Sequence, residues 1–316
     1  MKVAYIGNFR ESFCTEVHIQ KTLESLGVEV APLQEDQLDL PKLGRTVKRF
    51  GADVLLYTRT WGVKDKPFLI DTFRRLESDG IKTASYHLDL YLGIKRESTL
   101  HGDPFWSTGY VFTPDGDPAS AKRFESLGIN HYYIKPGVLK AECVPGNYRE
   151  SLASDVAFVG SVHGYHKEWP YRNKLHQWLS KTYKDRYVKH GHPESLVRGQ
   201  DLNDLYASAK VVVGDTLCPG FKKPYYWSDR VYETVGRGGF LIHPRITGLE
   251  EEFVDGEHLR LYDYGDFTGL KSLIDQYVED DAERKRIAAT GQAFVRANCT
   301  YTERLIQAFG VMGYEL

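Results

Sequence analysis

Short apolar runs alternate with amphipathic stretches along almost the whole chain. "KVAYIGN" reads as a buried strand, and "TEVHIQKTLESLG" as a helix stopped by Gly27. "VEVAPL", "ADVLLYTR", "IKTASYHLD", "GYVFTPDG" and "NHYYIKPGV" continue as strands. Helical patterns over "LGRTVKRFG", "KPFLIDTFRRLESDG" and "DPASAKRFESLG" fall between them. Strands in alternation with helices predict βαβ units, hence a parallel sheet covered on both faces.

Residues 138–152, "VLKAECVPGNYRESL", lose the period, carry Pro and Gly, and read as a linker. The alternation then resumes with strands over "DVAFVGS", "RYVKHG", "KVVVGD", "FLIHPR" and "HLRLYDY", and helices over "WPYRNKLHQWLSKTY" and "DLNDLYASA". Two long helical stretches, 267–297 and 301–311, end the pattern. The architecture expected is two doubly wound Rossmann-like domains facing across a cleft. The first spans 1–145, with the terminal helix at about 300–316 packed back on it, and the second spans 151–298. In such sheets ligands lie beyond the carboxyl ends of the strands, so candidate chemistry is sought there.

Composition changes this picture little. With 316 residues, 41% hydrophobic and 27% charged, each half can form a core. The net charge of −2 disfavours a nucleic-acid binder driven by overall charge, though not a local basic groove. The four cysteines are scattered without a Cys-x-x-Cys pair, which fits reduced thiols. The opening strand pattern leaves no room for a signal peptide, and no run is long enough for a membrane span, so a cytoplasmic location is expected. No glycine-rich dinucleotide or Walker loop follows a strand, which argues against a dehydrogenase or an NTPase.

The richest segment is "WSDRVYETVGRGGFLIHP", 227–244. Ser228 or Asp229 is a candidate N-cap, opening a helix whose first turn suits an anion. Arg230 supplies a fork for phosphate oxygens. Glu233, three positions on, offers two oxygens to a vicinal diol such as a ribose; an ordinary surface pair with Arg230 is the alternative. The preceding "DTLCPGFKKPYYW", with Lys222 and Lys223, reads as a solvated loop or a lid.

Several other strand ends carry candidates. Asn8, Arg10 and His18 follow the first strand, and His18 is either a general base or a helix-packing residue. His87 and Asp89 follow "SYHLD", where Asp89 either orients a hydroxyl or caps a turn. Phe105, Trp106 and Tyr110 are an aromatic platform or core packing. His163, past Gly160 and Ser161, is a candidate phosphate or sugar contact. His163, His166, His190 and His192 lack carboxylates at ligand spacing, which is a poor metal motif.

With these segments in order, residues 151–310 resemble the nucleotide-sugar domain of GT-B glycosyltransferases, in the group 1 branch that includes spore-maturation-type enzymes. The resemblance runs through "DVAFVGS", "RGQDLNDLYASAKVVVGDT", "SDRVYETVGRGGFLIHP", "GLEEEFVDGEHLRLYDYGD" and "AERKRIAATGQAFVRANCTYTERL". The first half resembles phage-encoded glycosyltransferases through "TEVH", "HLDLYLGIKRE" and "VFTPDG".

The resemblance implies transfer of a sugar from a nucleoside diphosphate sugar, UDP-sugar before GDP-sugar, to an acceptor hydroxyl. It implies retention of configuration and no metal or other cofactor. Glu233 matches the ribose-binding Glu. Arg230, Lys222 and Lys223 fall where the diphosphate is met, and Arg198 near the base. Gly160, Ser161, His163 and Asp215 border the donor, while His18 or Asp89 would activate the acceptor, bound by Asn8, Arg10, His87 and Trp106. The acceptor is a saccharide, a protein or a hydroxylated base of phage DNA. Many retaining relatives carry a second Glu eight positions before the ribose Glu, and here that position is Tyr225. A nucleotide-sugar binder without catalysis is therefore the rival reading.

Overall fold

A computed structural model describes residues 1–161, 170–191, 196–215 and 223–316. They form two compact units, Met1–Lys135 with Tyr301–Leu316, and Pro136–Thr300.

The first unit is a six-stranded, wholly parallel sheet of β1 (Lys2–Gly7), β2 (Glu29–Gln34), β3 (Val54–Tyr57), β4 (Lys82–Tyr86), β5 (Tyr110–Thr113) and β6 (His131–Tyr133), in the order β2-β1-β3-β4-β5-β6. β3 is buried at every position and β1 at all but its first, as expected of strands covered on both faces. β2 lies at the edge and is half exposed, so Pro32 is tolerated there.

Helices α1 (Thr15–Ser25), α2 (Leu40–Phe50), α3 (Lys66–Ser78) and α4 (Pro118–Ser126) connect the strands. α3 starts where Asp65 accepts the Phe68 N–H at 3.0 Å and Pro67 occupies the first turn. The chain's last helix, Tyr301–Val311, belongs to this unit; Tyr301, Leu305, Ala308 and Phe309 are its buried apolar face.

The second unit is a five-stranded parallel sheet of β7 (Ser154–Val159), β8 (Tyr187–His190), β9 (Ala209–Val213), β10 (Leu241–Pro244) and β11 (Arg260–Tyr262), in the order β11-β10-β9-β7-β8. It carries α5 (Pro170–Tyr183), α6 (Gly199–Ser208), α7 (Arg230–Gly236), α8 (Phe267–Glu279) and α9 (Asp281–Asn298); the terminal helix is α10.

Two expectations need correction here. The stretch 267–297 is two helices, because Asp280 breaks the first and caps the second by accepting the Glu283 N–H at 3.1 Å. The presumed linker is folded into the second unit. Cys143 is fully buried in its core, Val138 bridges to Thr300, and Asn203 donates to the carbonyls of Glu142 (3.2 Å) and Val144 (2.9 Å). Gly146 runs so close to α6 that a Cβ would lie 2.0 Å from the Asn203 carbonyl oxygen.

In each sheet the chain starts one strand in from an edge, steps once to that edge, then continues on the other side. The order therefore reverses between β1 and β3 in the first unit and between β7 and β9 in the second. Such switch points leave a crevice beyond the carboxyl ends of the strands.

Candidate active site

In the second unit, Gly160 and Ser161 follow β7, and Gly214 and Asp215 follow β9, so the predicted Gly160, Ser161 and Asp215 flank the switch point. Asp215 is 4% exposed and takes a bidentate pair from Arg172 of α5, with Nε donating at 2.6 Å and Nη2 at 3.1 Å. Burial alone would raise this carboxyl, but the Arg172 charge and its hydrogen bonds outweigh it and hold the pKa below the usual aspartate value. The third nitrogen of Arg172 donates to the Ser161 carbonyl at 2.8 Å. One guanidinium thus ties the loop after β7 to the loop after β9. His243 meets the Asp215 carbonyl through Nε2 at 3.1 Å, and burial pushes its ring pKa down to about 4, so it is neutral.

α7 begins beside this frame. The Ser228 hydroxyl oxygen accepts the Arg230 N–H at 3.2 Å, so Ser228 closes the start of the helix, while Asp229 is itself helical. The helix has only seven residues. Its dipole is correspondingly small, and fixed side-chain charge carries most of any attraction for phosphate. Arg230 supplies that charge: its Nη1 lies 3.5 Å from the place a Cβ would take on Gly160. Arg230, Asp215, Ser228, Gly214, Thr234 and His243 line one pocket at the strand ends.

Glu233 sits half buried on α7. Burial raises its carboxyl pKa first, the Asp229 charge raises it further, and Arg237, Arg198 and Arg230 oppose both. Among the described residues no hydrogen bond or ion pair engages its carboxylate. The structure thus brings Arg198, Arg230 and Glu233 into one electrostatic group, with Gly160, Ser161 and Asp215 at its edge. Lys223 lies just before the Pro224-Tyr225 turn. His163 and Lys222 lie outside the described residues, as do His166, His192 and most of the loop read as a lid.

Tyr225 occupies the position of the acidic residue found in many relatives. It adopts left-handed backbone (φ 61°), its hydroxyl donates to Glu251 at 2.9 Å, and its ring lies over Gly248, where a Cβ would come within 2.3 Å.

The first unit distributes its predicted residues differently. His87 follows β4, and its Nδ1 accepts the Asp89 N–H at 3.2 Å, which leaves the proton of the neutral ring on Nε2. Burial lowers its pKa; Asp89 opposes this, and Arg96 and Arg59 add to it. Asp89 is paired with Arg96 at 2.5 Å, so its carboxylate already serves a guanidinium. Asn8 shapes its own loop, accepting the Arg10 N–H at 3.2 Å, and Arg10 pairs with Asp36.

Two further candidates lie in packed surroundings. His18 is 7% exposed on α1, with its ring 6.4 Å from that of Tyr301 on α10, so it takes the helix-packing role instead of that of an accessible base. Trp106 is 7% exposed in an aromatic cluster with Tyr91 (4.7 Å), Phe105 (4.8 Å) and Phe124 (5.5 Å), which is core packing and not an open platform.

The sequence reading missed Arg172, whose only signal is an arginine in the first turn after a strand-end loop. It also missed Glu16 and Glu35, two buried carboxylates beside the switch point of the first unit. Among the described residues no group of three or more His, Cys, Asp or Glu side chains is arranged to hold a metal, and no helix is long and apolar enough to cross a membrane.

Two parallel-sheet Rossmann-like units, with charged groups gathered at a strand-end switch, define a GT-B-type α/β protein. The family model described as glycosyl transferase-like matches residues 149–310, just over half of the chain, and the protein belongs to that family. No curated protein sequence matches it.

Similar solved structures include an α-glucosyltransferase in complex with UDP-glucose and DNA containing an abasic site, with a TM-score of 0.69, 11% identity, and 99% of this chain and 100% of that one covered. HepE of Anabaena in complex with UDP-glucose is similar at a TM-score of 0.63 and 14% identity, over 99% of both chains. Sucrose-phosphate synthase of Thermosynechococcus elongatus is similar at 0.62 and 11% identity, over 99% of this chain and 98% of that one. At such identities the likeness is one of fold.

Proposed function

We propose that this protein transfers a sugar from a UDP-sugar to an acceptor hydroxyl, with retention and without a metal. The observation that carries the reading is Glu233, a carboxylate set among Arg198, Arg230 and Arg237 and engaged by no hydrogen bond among the described residues. A half-buried acceptor of this kind suits the two hydroxyls of a ribose, which would satisfy it on binding. Arg230 then meets the diphosphate and stabilises the charge that develops as the sugar–phosphate bond breaks. Fixed guanidinium charge can take the place of a divalent ion at the leaving group.

The Arg172–Asp215 pair holds the loops around that group and acts through them. His87 presents a neutral N–H donor suited to a sugar hydroxyl or a phosphate oxygen. With Asp89 paired and His18 packed in a helix seam, the leaving phosphate itself is the acceptor of the proton, which accords with retention. The UDP and UDP-glucose complexes of the similar structures support the choice of base.

The test is thermal unfolding of the wild type and Glu233→Ala with UDP, GDP, ADP, CMP and TDP. A ligand at 100 times its dissociation constant stabilises by about 2.7 kcal/mol. UDP should raise the melting temperature of the wild type and not that of Glu233→Ala. Equal shifts with every nucleotide, or none, would count against the proposal. The fold shared with the glucosyltransferase in complex with DNA supports a second reading, in which the acceptor is a hydroxylated base extruded from a duplex; a glycosylated duplex product distinguishes it.

A further inference from the structure

At the switch point of the first sheet, the loop after β3 carries Trp61, which is 48% exposed. A tryptophan in a surface loop normally loses area to a neighbour or moves; this one is pinned. The buried Glu35 carboxylate, 2% exposed, accepts the backbone N–H groups of Thr60 (3.0 Å), Trp61 (2.7 Å) and Gly62 (3.1 Å) and the Tyr57 hydroxyl (2.9 Å). Glu16, also buried, accepts the Thr60 hydroxyl at 2.8 Å. Two desolvated carboxylates are thus committed to the shape of one short loop, and the residue they present to solvent is an indole. From the loop after β1, Arg10 lies over that ring, 5.2 Å from its centroid, and pairs with Asp36, which also accepts from Gln34 at 2.8 Å.

We propose that Trp61, with Arg10 and Asp36, is the acceptor platform, and that the acceptor it takes is an uncharged saccharide. This rests on the sugar-transfer reading above. A pyranose ring has an apolar C–H face that covers an indole and a rim of hydroxyls that both donate and accept. Arg10, Asp36 and Gln34 supply the matching polar groups around the ring.

Charge decides against a polyanion. Arg10 is paired with Asp36, and Arg59 and Lys66 with Asp103 at 3.3 and 3.1 Å. Of the two cations in the loop after β3, Arg59 is paired and Lys64 stands outside any ion pair among the described residues, while the buried carboxylates Glu16 and Glu35 hold the same loop. A nucleic-acid backbone needs cations free to replace its counterions, and this surface does not supply them.

The experiment is calorimetric titration with maltohexaose, cellohexaose and laminarihexaose, and separately with a short DNA duplex. Wild type, Trp61→Ala and Trp61→Tyr are compared, with the UDP-induced melting shift measured on each. The expected result is a saturating binding heat with at least one hexaose and little with DNA. Affinity should be about tenfold weaker in Trp61→Ala and largely kept in Trp61→Tyr. The UDP shift should be equal in all three proteins. No response to any hexaose, or an unaltered one in Trp61→Ala, overturns the proposal, as does DNA binding that depends on Trp61. Hexaose binding without any UDP shift would leave the platform standing and sink the donor reading instead.

Discussion

If Glu233 holds the donor ribose, as proposed, its environment makes donor recognition dependent on pH. Its carboxyl is raised above 4.5 by burial and Asp229. The neutral form is therefore favoured in the folded chain relative to the unfolded one. That contribution to stability is fully present below the unfolded pKa and is lost as pH rises through the raised folded value. Ribose binding needs the opposite form, since an ionised carboxylate accepts from both hydroxyls whereas a protonated one must also donate. UDP-glucose affinity should therefore fall as pH drops through the range just above 4.5. In Glu233→Gln, affinity should be lower and its dependence on pH flatter. Calorimetric titrations between pH 4.5 and 7.5 would show both effects, the interval being on the order of three units to bracket a raised carboxyl.

The elements that hold this site were legible to different degrees. Strands and helices were readable because buried parallel strands make continuous apolar runs and the helices between them keep their period. The β1 run "KVAYIG" and the α1 pattern are examples. The division of 267–297 was hidden because its signal is a single aspartate, Asp280, within a polar stretch that also suits a helix interior. Residues 138–152 were misread because their order comes from tertiary partners, Asn203 and the buried niche of Cys143, not from a local period.

Glu233 and Arg230 could be singled out in the sequence because their spacing on one helix is local. Arg172 was not, since its meaning lies in Asp215, 43 positions away. Trp61 was invisible for the same reason, because the carboxylate that fixes it is 26 positions upstream. The Arg172–Asp215 link makes its own prediction. Both groups are nearly inaccessible, so Asp215→Asn strands a buried guanidinium and should cost about 3–5 kcal/mol, whereas Arg172→Met combined with Asp215→Leu should recover much of the loss. Urea unfolding followed by hydrogen exchange in β7 and β9 checks this. Equal losses in the single and double variants would contradict it.

At the scale of the whole molecule, the chain returns at its end to the unit in which it began. Tyr301, Leu305, Phe309 and Met312 bury apolar surface there, and Lys82 donates to the Met312 carbonyl. Ending the chain at Thr300 uncovers the part of α1 that meets α10, where His18 faces Tyr301, at about 25 cal/mol for each Å² of apolar surface exposed. Amide exchange should accelerate in α1 and β4 and stay unchanged in α6 and β9. Unchanged exchange in α1 would show that the last helix adds little to the first unit.

The central claim is that Arg230 and Glu233 grip a nucleoside diphosphate sugar. Calorimetric titration of UDP-glucose into the wild type, Arg230→Ala and Glu233→Ala at neutral pH tests it most directly. The account predicts measurable binding to the wild type and a loss of at least about tenfold in each variant, since a charge-assisted hydrogen bond contributes roughly 1.5–3 kcal/mol. Wild-type binding that neither substitution weakens would place the donor elsewhere and contradict the account.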